Sequence, residues 1–228
     1  MLPASSVTGA TFHMGNAMSS FYSDEQRELQ DVFATRGLAD RLQEMFLHAT
    51  FSDEDVAFIA ARDFFFLATV DTDGHPTVSY KGGRRGFVTI TNNRLRFPCF
   101  DGNGMFLSMG NIKATNSVGL LFIDFEAPKR LRVQGAARLV DSTVPGALAF
   151  VEIEPTSIFV NCPRYIPRYA RIPDAKHAPR EDGTAPVAEW KRLDALQDVL
   201  PAADKMAVDT LGTLSFEEAV AKFNRGEG

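Results

Sequence analysis

Three clusters of polar residues in the chain have the side-chain types and spacing to hold an anionic, electron-rich ligand. Ser79-Tyr80-Lys81 closes an alternating stretch, so Ser79 and Lys81 fall on one side of a strand and set a hydroxyl beside an ammonium. Asn103, Gly104, Met105, Ser108 and Asn111 combine glycine-bared backbone amides with two polar side chains three apart. That spacing puts Ser108 and Asn111 on one face of a short helix, whose start favours a phosphate. Asn161-Cys162-Pro163-Arg164-Tyr165-Ile166 places a thiol beside a guanidinium, a setting that favours a thiolate. Arg130 and Arg132 alternate on a further strand and share a face. Each cluster has a plainer alternative: a solvated strand end, a capped helix with Met105 and Met109 in the core, and an inert apolar cysteine. Cys99, inside Phe97-Pro98-Cys99-Phe100, reads as packing.

What the chain lacks narrows the chemistry further. Its four histidines, His13, His48, His75 and His177, are scattered, and none stands at metal-ligand spacing from a cysteine or carboxylate. They read as structural or surface residues, and no metal site is expected. No Gly-x-Ser-x-Gly elbow is present. Gly102-Asn103-Gly104-Met105-Phe106-Leu107 opens like a dinucleotide fingerprint, but Leu107 stands where the third glycine belongs and no βαβ pattern precedes it. A Walker loop is also missing. Hydrolases and nucleotide-fold dehydrogenases drop out, and no catalytic acid, base or nucleophile is assigned.

Composition sets the frame. The chain has 228 residues, with 24 Lys+Arg against 29 Asp+Glu for a net charge of −5, and 45% hydrophobic residues. That length suits one well-buried domain with appendages, without disulfide staples. The acidic balance argues against a nucleic-acid binder, and a Phe-stacking OB-like barrel is disfavoured on the same ground. The 19 Phe against 4 Tyr and 1 Trp put most of the aromatic mass in rings without a polar handle. Two cysteines, no apolar run near membrane-spanning length and no basic residue before a hydrophobic stretch at the start point to a cytoplasmic protein with no membrane partner.

These clusters need elements to hold them. Residues 1–22 read as a flexible leader, and 23–62 as N-terminal helices. Ser23-Asp24-Glu25-Gln26 is a capping box, followed by Leu29, Val32, Phe33, Leu38, Leu42, Met45 and Phe46 near helical spacing, with Gly37 as the break. A short helix starts at Ser52 with Val56, Ile59 and Ala60 inward. From Phe64 the texture turns to strand: Phe64–Val70, the turn Asp71-Thr72-Asp73-Gly74, and Pro76–Lys81 form a hairpin. Further strands follow at Phe87–Thr91, Leu95–Phe100, Val118–Phe125, Leu131–Val140 and Ser157–Asn161, with a loop and short helix over 102–114. The expected architecture is mainly β with flanking helices, an antiparallel barrel closed or nearly so, since closure removes exposed edges. Residues 171–228 read as a C-terminal loop and helices, with helix over Val187–Leu200 and again after the capping box at Ser215.

The order of motifs is itself informative. Phe64–Asp71, Gly74-His75-Pro76, Val78–Gly83, Gly102–Met105, Ser108–Asn111 and Val118–Asp124 together resemble the pyridoxamine 5′-phosphate oxidase-like family of FMN-binding split barrels, in the branch with a terminal Asn-Cys-Pro-Arg-Tyr-Ile box. The resemblance covers roughly residues 20–170. It implies a six-stranded antiparallel split β-barrel over 63–170 that forms a homodimer with FMN at the interface. It also implies cofactor contacts from Ser79, Tyr80, Lys81, Asn103, Met105, Ser108 and Asn111, completed by Arg132, Asn161, Cys162 and Arg164. The implied function is an FMN oxidoreductase acting on a small organic substrate, with a nicotinamide donor or oxygen as partner. A flavin carrier or sensor, or a haem- or deazaflavin-binding relative, is the alternative. The departures count against a true pyridoxine phosphate oxidase. Leu107 and Ser108 stand where that enzyme has a basic pair, its arginine–histidine box is not evident in 171–228, and Pro167 stands where a histidine often follows the branch's Tyr-Ile pair.

Overall fold

The computed structural model describes residues 21–172 and 176–226, so most of the leader, with His13, lies outside the described residues. The chain divides between Met45 and Phe46 into two compact units.

The first unit is a helix pair, α1 (Asp24–Val32) and α2 (Arg36–Phe46), whose last residue opens the second unit. Ser23 caps α1 as its sequence pattern requires: Ser23 Oγ accepts from the Gln26 amide at 3.3 Å, and Gln26 Oε1 accepts from the Ser23 amide at 3.0 Å. The break falls at Phe33–Thr35, where Ala34 has φ 51°, and not at Gly37, which lies inside α2. Polar links tie the two helices, Arg27 Nη1 to Asp40 Oδ1 at 2.6 Å and Tyr22 Oη donating to the Ala39 carbonyl at 3.1 Å.

The second unit is built on one antiparallel sheet of seven strands. They are β1 (Phe64–Val70), β2 (Pro76–Gly82), β3 (Thr89–Thr91), β4 (Arg94–Phe100), β5 (Ser117–Asp124), β6 (Lys129–Val140) and β7 (Ala147–Val160). Their order is β2-β1-β5-β6-β7-β4-β3. This corrects the expected six-stranded barrel: the sheet has seven strands and stays open, with β2 and β3 as its edges among the described residues. The reason is local. The chain leaves β2 through the glycines of Gly82–Gly86, makes a turn in which the Phe87 amide donates to the Arg84 carbonyl, and enters a strand of only three residues. β7 is also longer than its sequence signal, which marked only Ser157–Asn161. Its first half pairs with β4 and β6 despite Pro155, because that proline opposes a bulge at Gln134/Gly135. A Cβ on Gly135 would lie 2.3 Å from the Glu154 carbonyl oxygen, so the close approach requires glycine.

Alternating side chains of the sheet make the core. Phe65, Phe97 and Phe122 are fully buried, with Phe65 edge-on to Phe97 at 4.9 Å and tilted on Phe122 at 5.0 Å. α3 (Asp53–Ala60) buries Phe58 and Ile59 against them; Val56 is only half-buried and Ala60 exposed, contrary to the expected face. His48 is structural: its backbone bridges Ile158, and its Nε2 meets Asp55 Oδ2 at 2.8 Å, the carboxylate that also caps α3. On the opposite face, the Glu152 carboxyl, 2% exposed, receives Arg94 Nη1 at 2.9 Å, Arg96 Nε at 2.6 Å and Arg138 Nε at 2.9 Å. Burial alone would raise its pKa, but the three guanidiniums outweigh it and lower the value to about 2.

Past β7 the helix expected over Val187–Leu200 is replaced by two 3₁₀ turns, Glu189–Arg192 and Asp194–Leu196, followed by α5 (Ala202–Leu211) and α6 (Phe216–Asn224). Tertiary bonds take the place of the helical ladder there. The Asp194 amide donates to the Leu214 carbonyl at 3.0 Å and the Leu214 amide to Arg192 at 2.7 Å.

Candidate functional site

The loop after β4 and the helix α4 (Leu107–Thr115) stand against β1 and β2 and form the wall of a cleft. Asn103 starts the wall with an Asx turn, its Oδ1 accepting from the Met105 amide at 3.1 Å. Gly104 follows at φ +74° with open space around it. Phe106 then takes the N-cap position at φ 52° and supplies no side-chain cap. The first amides of α4 therefore have no side-chain acceptor, which leaves donors and a partial positive charge at the helix start. Two side-chain bonds hold α4 in register with the sheet. Ser108 Oγ lies 2.9 Å from Ser79 Oγ, and Asn111 Nδ2 donates to Thr69 Oγ1 at 3.1 Å.

The cleft has a volume of about 450 Å³, within the ordinary range for small-molecule sites. Thr77, Ser79 and Lys81 enter from β2, Phe87 from the following loop, Cys99 and Phe100 from β4, and Leu148 from β7; the loop Asp101–Phe106 and the start of α4 close the other side. Lys81 and Cys99 influence one another here. Burial lowers the Lys81 pKa and raises that of Cys99, and their mutual interaction opposes both shifts. Burial thus favours the thiol form of Cys99 and weakens the hold of Lys81 on its proton. Tyr80 also borders the cleft, but its ring stacks on Phe64 at 5.5 Å on the outer face of the sheet.

Of the eleven residues singled out from sequence, Ser79, Tyr80, Lys81, Asn103, Met105 and Ser108 meet around this cleft. Asn111 stands one helical turn away and is used by Thr69. Arg132 is exposed on β6 opposite Phe159, near the end of β7 from which the Asn161–Ile166 box departs. In that box Cys162 is exposed and accepts from the Arg164 amide at 3.4 Å, Arg164 lies over the Tyr165 ring, and Asn161 Oδ1 is buried without a partner. None of Arg132, Asn161, Cys162 and Arg164 lines the cleft within this chain. Sequence reasoning missed Asp101, Phe87 and Leu148. The first follows an apolar strand like any loop carboxylate, and the last sits in the half of β7 that had no clear strand signal.

The turn between β1 and β2 also brings ligand atoms of Asp71, Asp73 and His75 within 4.8 Å of one another, which linear spacing did not anticipate. Turn formation accounts for it: Asp71 Oδ1 accepts from the amides of Asp73 at 2.9 Å and His75 at 2.8 Å.

Comparison with known proteins bears on the same stretch of chain. Residues 51–159 match the family model of pyridoxamine 5′-phosphate oxidase. The oxidase-family match takes in α3, the whole cleft wall and nearly all of β7, and ends before the Asn161–Ile166 box. No curated protein matches the chain. Among solved structures, HupZ of Group A Streptococcus is 17% identical, with 49% of this chain and 94% of that chain covered at a TM-score of 0.41. HutZ, the heme storage protein of Vibrio cholerae, is 18% identical over 49% and 94%, with a TM-score of 0.38. An FAD binding protein of Mycobacterium smegmatis is 16% identical over 49% and 94%, at 0.35.

Proposed function

We propose that the protein binds FMN in the cleft between β2 and α4 and acts as an oxidoreductase on a small organic substrate, taking electrons from a nicotinamide donor or passing them to oxygen. The observation that carries this reading is the meeting of the Ser79–Ser108 hydroxyl pair with the uncapped start of α4, in a segment that matches the pyridoxamine 5′-phosphate oxidase family model. The residues fit the group. Small neutral donors and free amides suit a phosphate tail, while Phe87, Phe100 and Leu148 suit a flat ring. FMN when bound supplies the hydride chemistry, so the protein needs no strong acid or base. Lys81 contributes positive charge from within the cleft wall, and Ser79 and Ser108 orient whatever accepts from them. The absence of a basic pair at Leu107 and Ser108 argues against pyridoxine phosphate oxidation.

Dimerisation belongs to the same proposal. The outer face of β1 and β2 carries Phe64, Phe66, Val78 and Tyr80, with Val78 and Tyr80 at 67% and 60% exposure. A solvated antiparallel face alternates to polar residues, so this one suits a second copy. In such a dimer Arg132 and the Asn161–Arg164 box complete the site from one chain or the other, and the protein works in the cytoplasm.

The decisive experiment is the absorption spectrum of the purified protein with FMN titration and light scattering. A flavin band with stoichiometric uptake by a dimer is expected; a colourless protein that takes up no FMN overturns the reading. The carrier or sensor alternative is separated by anaerobic mixing with NADH or NADPH, where bleaching of the flavin band marks an enzyme using that donor.

A further inference from the structure

The C-terminal segment 176–192 lies outside the stretch that matches the family model, yet it touches loops of the sheet in three places, one of them at a residue that lines the cleft. Arg84 Nε, in the loop after β2, donates to the Pro179 carbonyl at 3.0 Å. The turn before β7 abuts the segment so closely that a Cβ on Gly183 would lie 2.3 Å from the Pro145 carbonyl carbon. Both glycines of that junction, Gly146 and Gly183, have positive φ, so neither the space nor the backbone there admits another residue at ease. The third contact is ionic. Lys191, 6% exposed, donates from Nζ to Asp101 Oδ2 and, at 2.7 Å, to Asp204 Oδ1. Asp101 lines the cleft and leads directly into the loop that presents Asn103 and the start of α4.

A lysine this buried holds its charge only through its partners. Burial works against the ammonium, and the two carboxylates more than offset it, raising its pKa above the ordinary lysine value. The reverse also holds: Asp101 is a negative charge on the rim of the cleft, and Lys191, which it shares with Asp204, is the cation that offsets it in part. Stripped of that partner, Asp101 would repel an anionic tail held by the neighbouring amides.

We propose that segment 176–192 is a strap built into the ligand site, in which Lys191 fixes the rim loop 101–106 and offsets the charge of Asp101 so that the cleft accepts a phosphate-bearing ligand. Lys191 is thereby a positioning and charge-balancing residue that does not touch the ligand. The proposal rests on the FMN reading for its ligand, and its structural half is independent of that reading.

The test compares FMN with riboflavin, which has the same ring and no phosphate, on the full chain. Lys191→Met is expected to weaken FMN about tenfold and riboflavin less than about threefold, because one uncompensated rim charge acts on the phosphate alone. Adding Asp101→Asn to that variant restores FMN, and Lys191→Arg retains it. Hydrogen exchange of the amides in 101–106 quickens in Lys191→Met. Equal losses of both flavins, or no loss of either together with unchanged exchange, overturn the proposal. If the wild-type protein takes up neither flavin, the FMN reading falls; faster exchange in Lys191→Met then still supports the strap, and unchanged exchange overturns it. Should Lys191→Met not fold, Arg84→Ala serves, since Arg84 is exposed. It is expected to quicken exchange in 82–87 without a change in Tm, and unchanged exchange counts against the strap.

Discussion

The helix pair α1–α2 and the seven-stranded sheet use similar apolar residues to opposite ends. In the sheet, Phe65, Phe97 and Phe122 are sealed from water, each side chain fixed by residues far away in sequence. In the helix pair no described residue is buried; Leu29, Val32, Phe33, Leu38 and Met45 are all more than half exposed. The polar devices differ in the same way. Glu152 sits beneath three arginines from the two strands that flank its own, whereas the helix pair has Arg27 and Asp40, both partly in water. The lesson is that pattern and capping mark where a helix begins, while only long-range pairing converts apolar residues into a core.

Paired substitutions break or sharpen that contrast. The largest effect is expected from Phe97→Ala, which should cost about 3–5 kcal/mol in urea unfolding through the cavity it leaves. Phe33→Ala should stay within about 0.5 kcal/mol, as for an unpartnered surface residue. Equal costs for the two would show that the helix face is covered in solution.

Next is the ionic pair of tests. Glu152→Gln should lose about 1.5–3 kcal/mol at pH 7, the worth of hydrogen bonds to a charged group, against at most about 1 kcal/mol for Asp40→Asn. The pH signature is specific. The folded-state pKa of Glu152 is lowered from 4.5 to about 2, so its stabilisation is fully present above pH 4.5 and is lost as pH falls towards 2. Acid unfolding of Glu152→Gln should therefore be flatter through that window than in the wild-type protein.

The smallest pair concerns two glycines. Gly135→Ala should destabilise by about 1–3 kcal/mol, because the new methyl group meets the Glu154 carbonyl. Gly37→Ala should stabilise by about 0.5–1 kcal/mol, since nothing lies within 4 Å of that position inside α2. Thermal melts of both variants read the opposite signs.

Much of this was legible in the linear pattern. The Phe64–Val70 run, its turn and its partner strand stand where alternation and turn chemistry put them, the capping boxes at Ser23 and Ser215 each start a helix, and a third helix starts after Ser52 as expected. Those signals act over two to four residues, within the reach of a side chain on its own backbone. The failures share a different cause. Gly37 looked like a break because glycine is a weak helix former, but the actual break lies at Phe33–Thr35, around Ala34 in a left-handed conformation. The Val187–Leu200 stretch has helical composition, yet bonds to Leu214 and the buried ammonium of Lys191 draw it into 3₁₀ turns. Half of β7 escaped notice because Pro155 is tolerable only beside the bulge at Gly135.

The site divides along the same line. Residue types and their alternation determined that Ser79 and Lys81 share a face, that Asn103 makes a turn, and that a short helix follows, since each depends on neighbours in the chain. That Ser108 meets Ser79, that the sheet stays open beside the cleft, and that Asp101 is matched by a lysine 90 positions away were decided only by the tertiary structure. Such contacts depend on which strands pair and in what register, and no local preference encodes that distance.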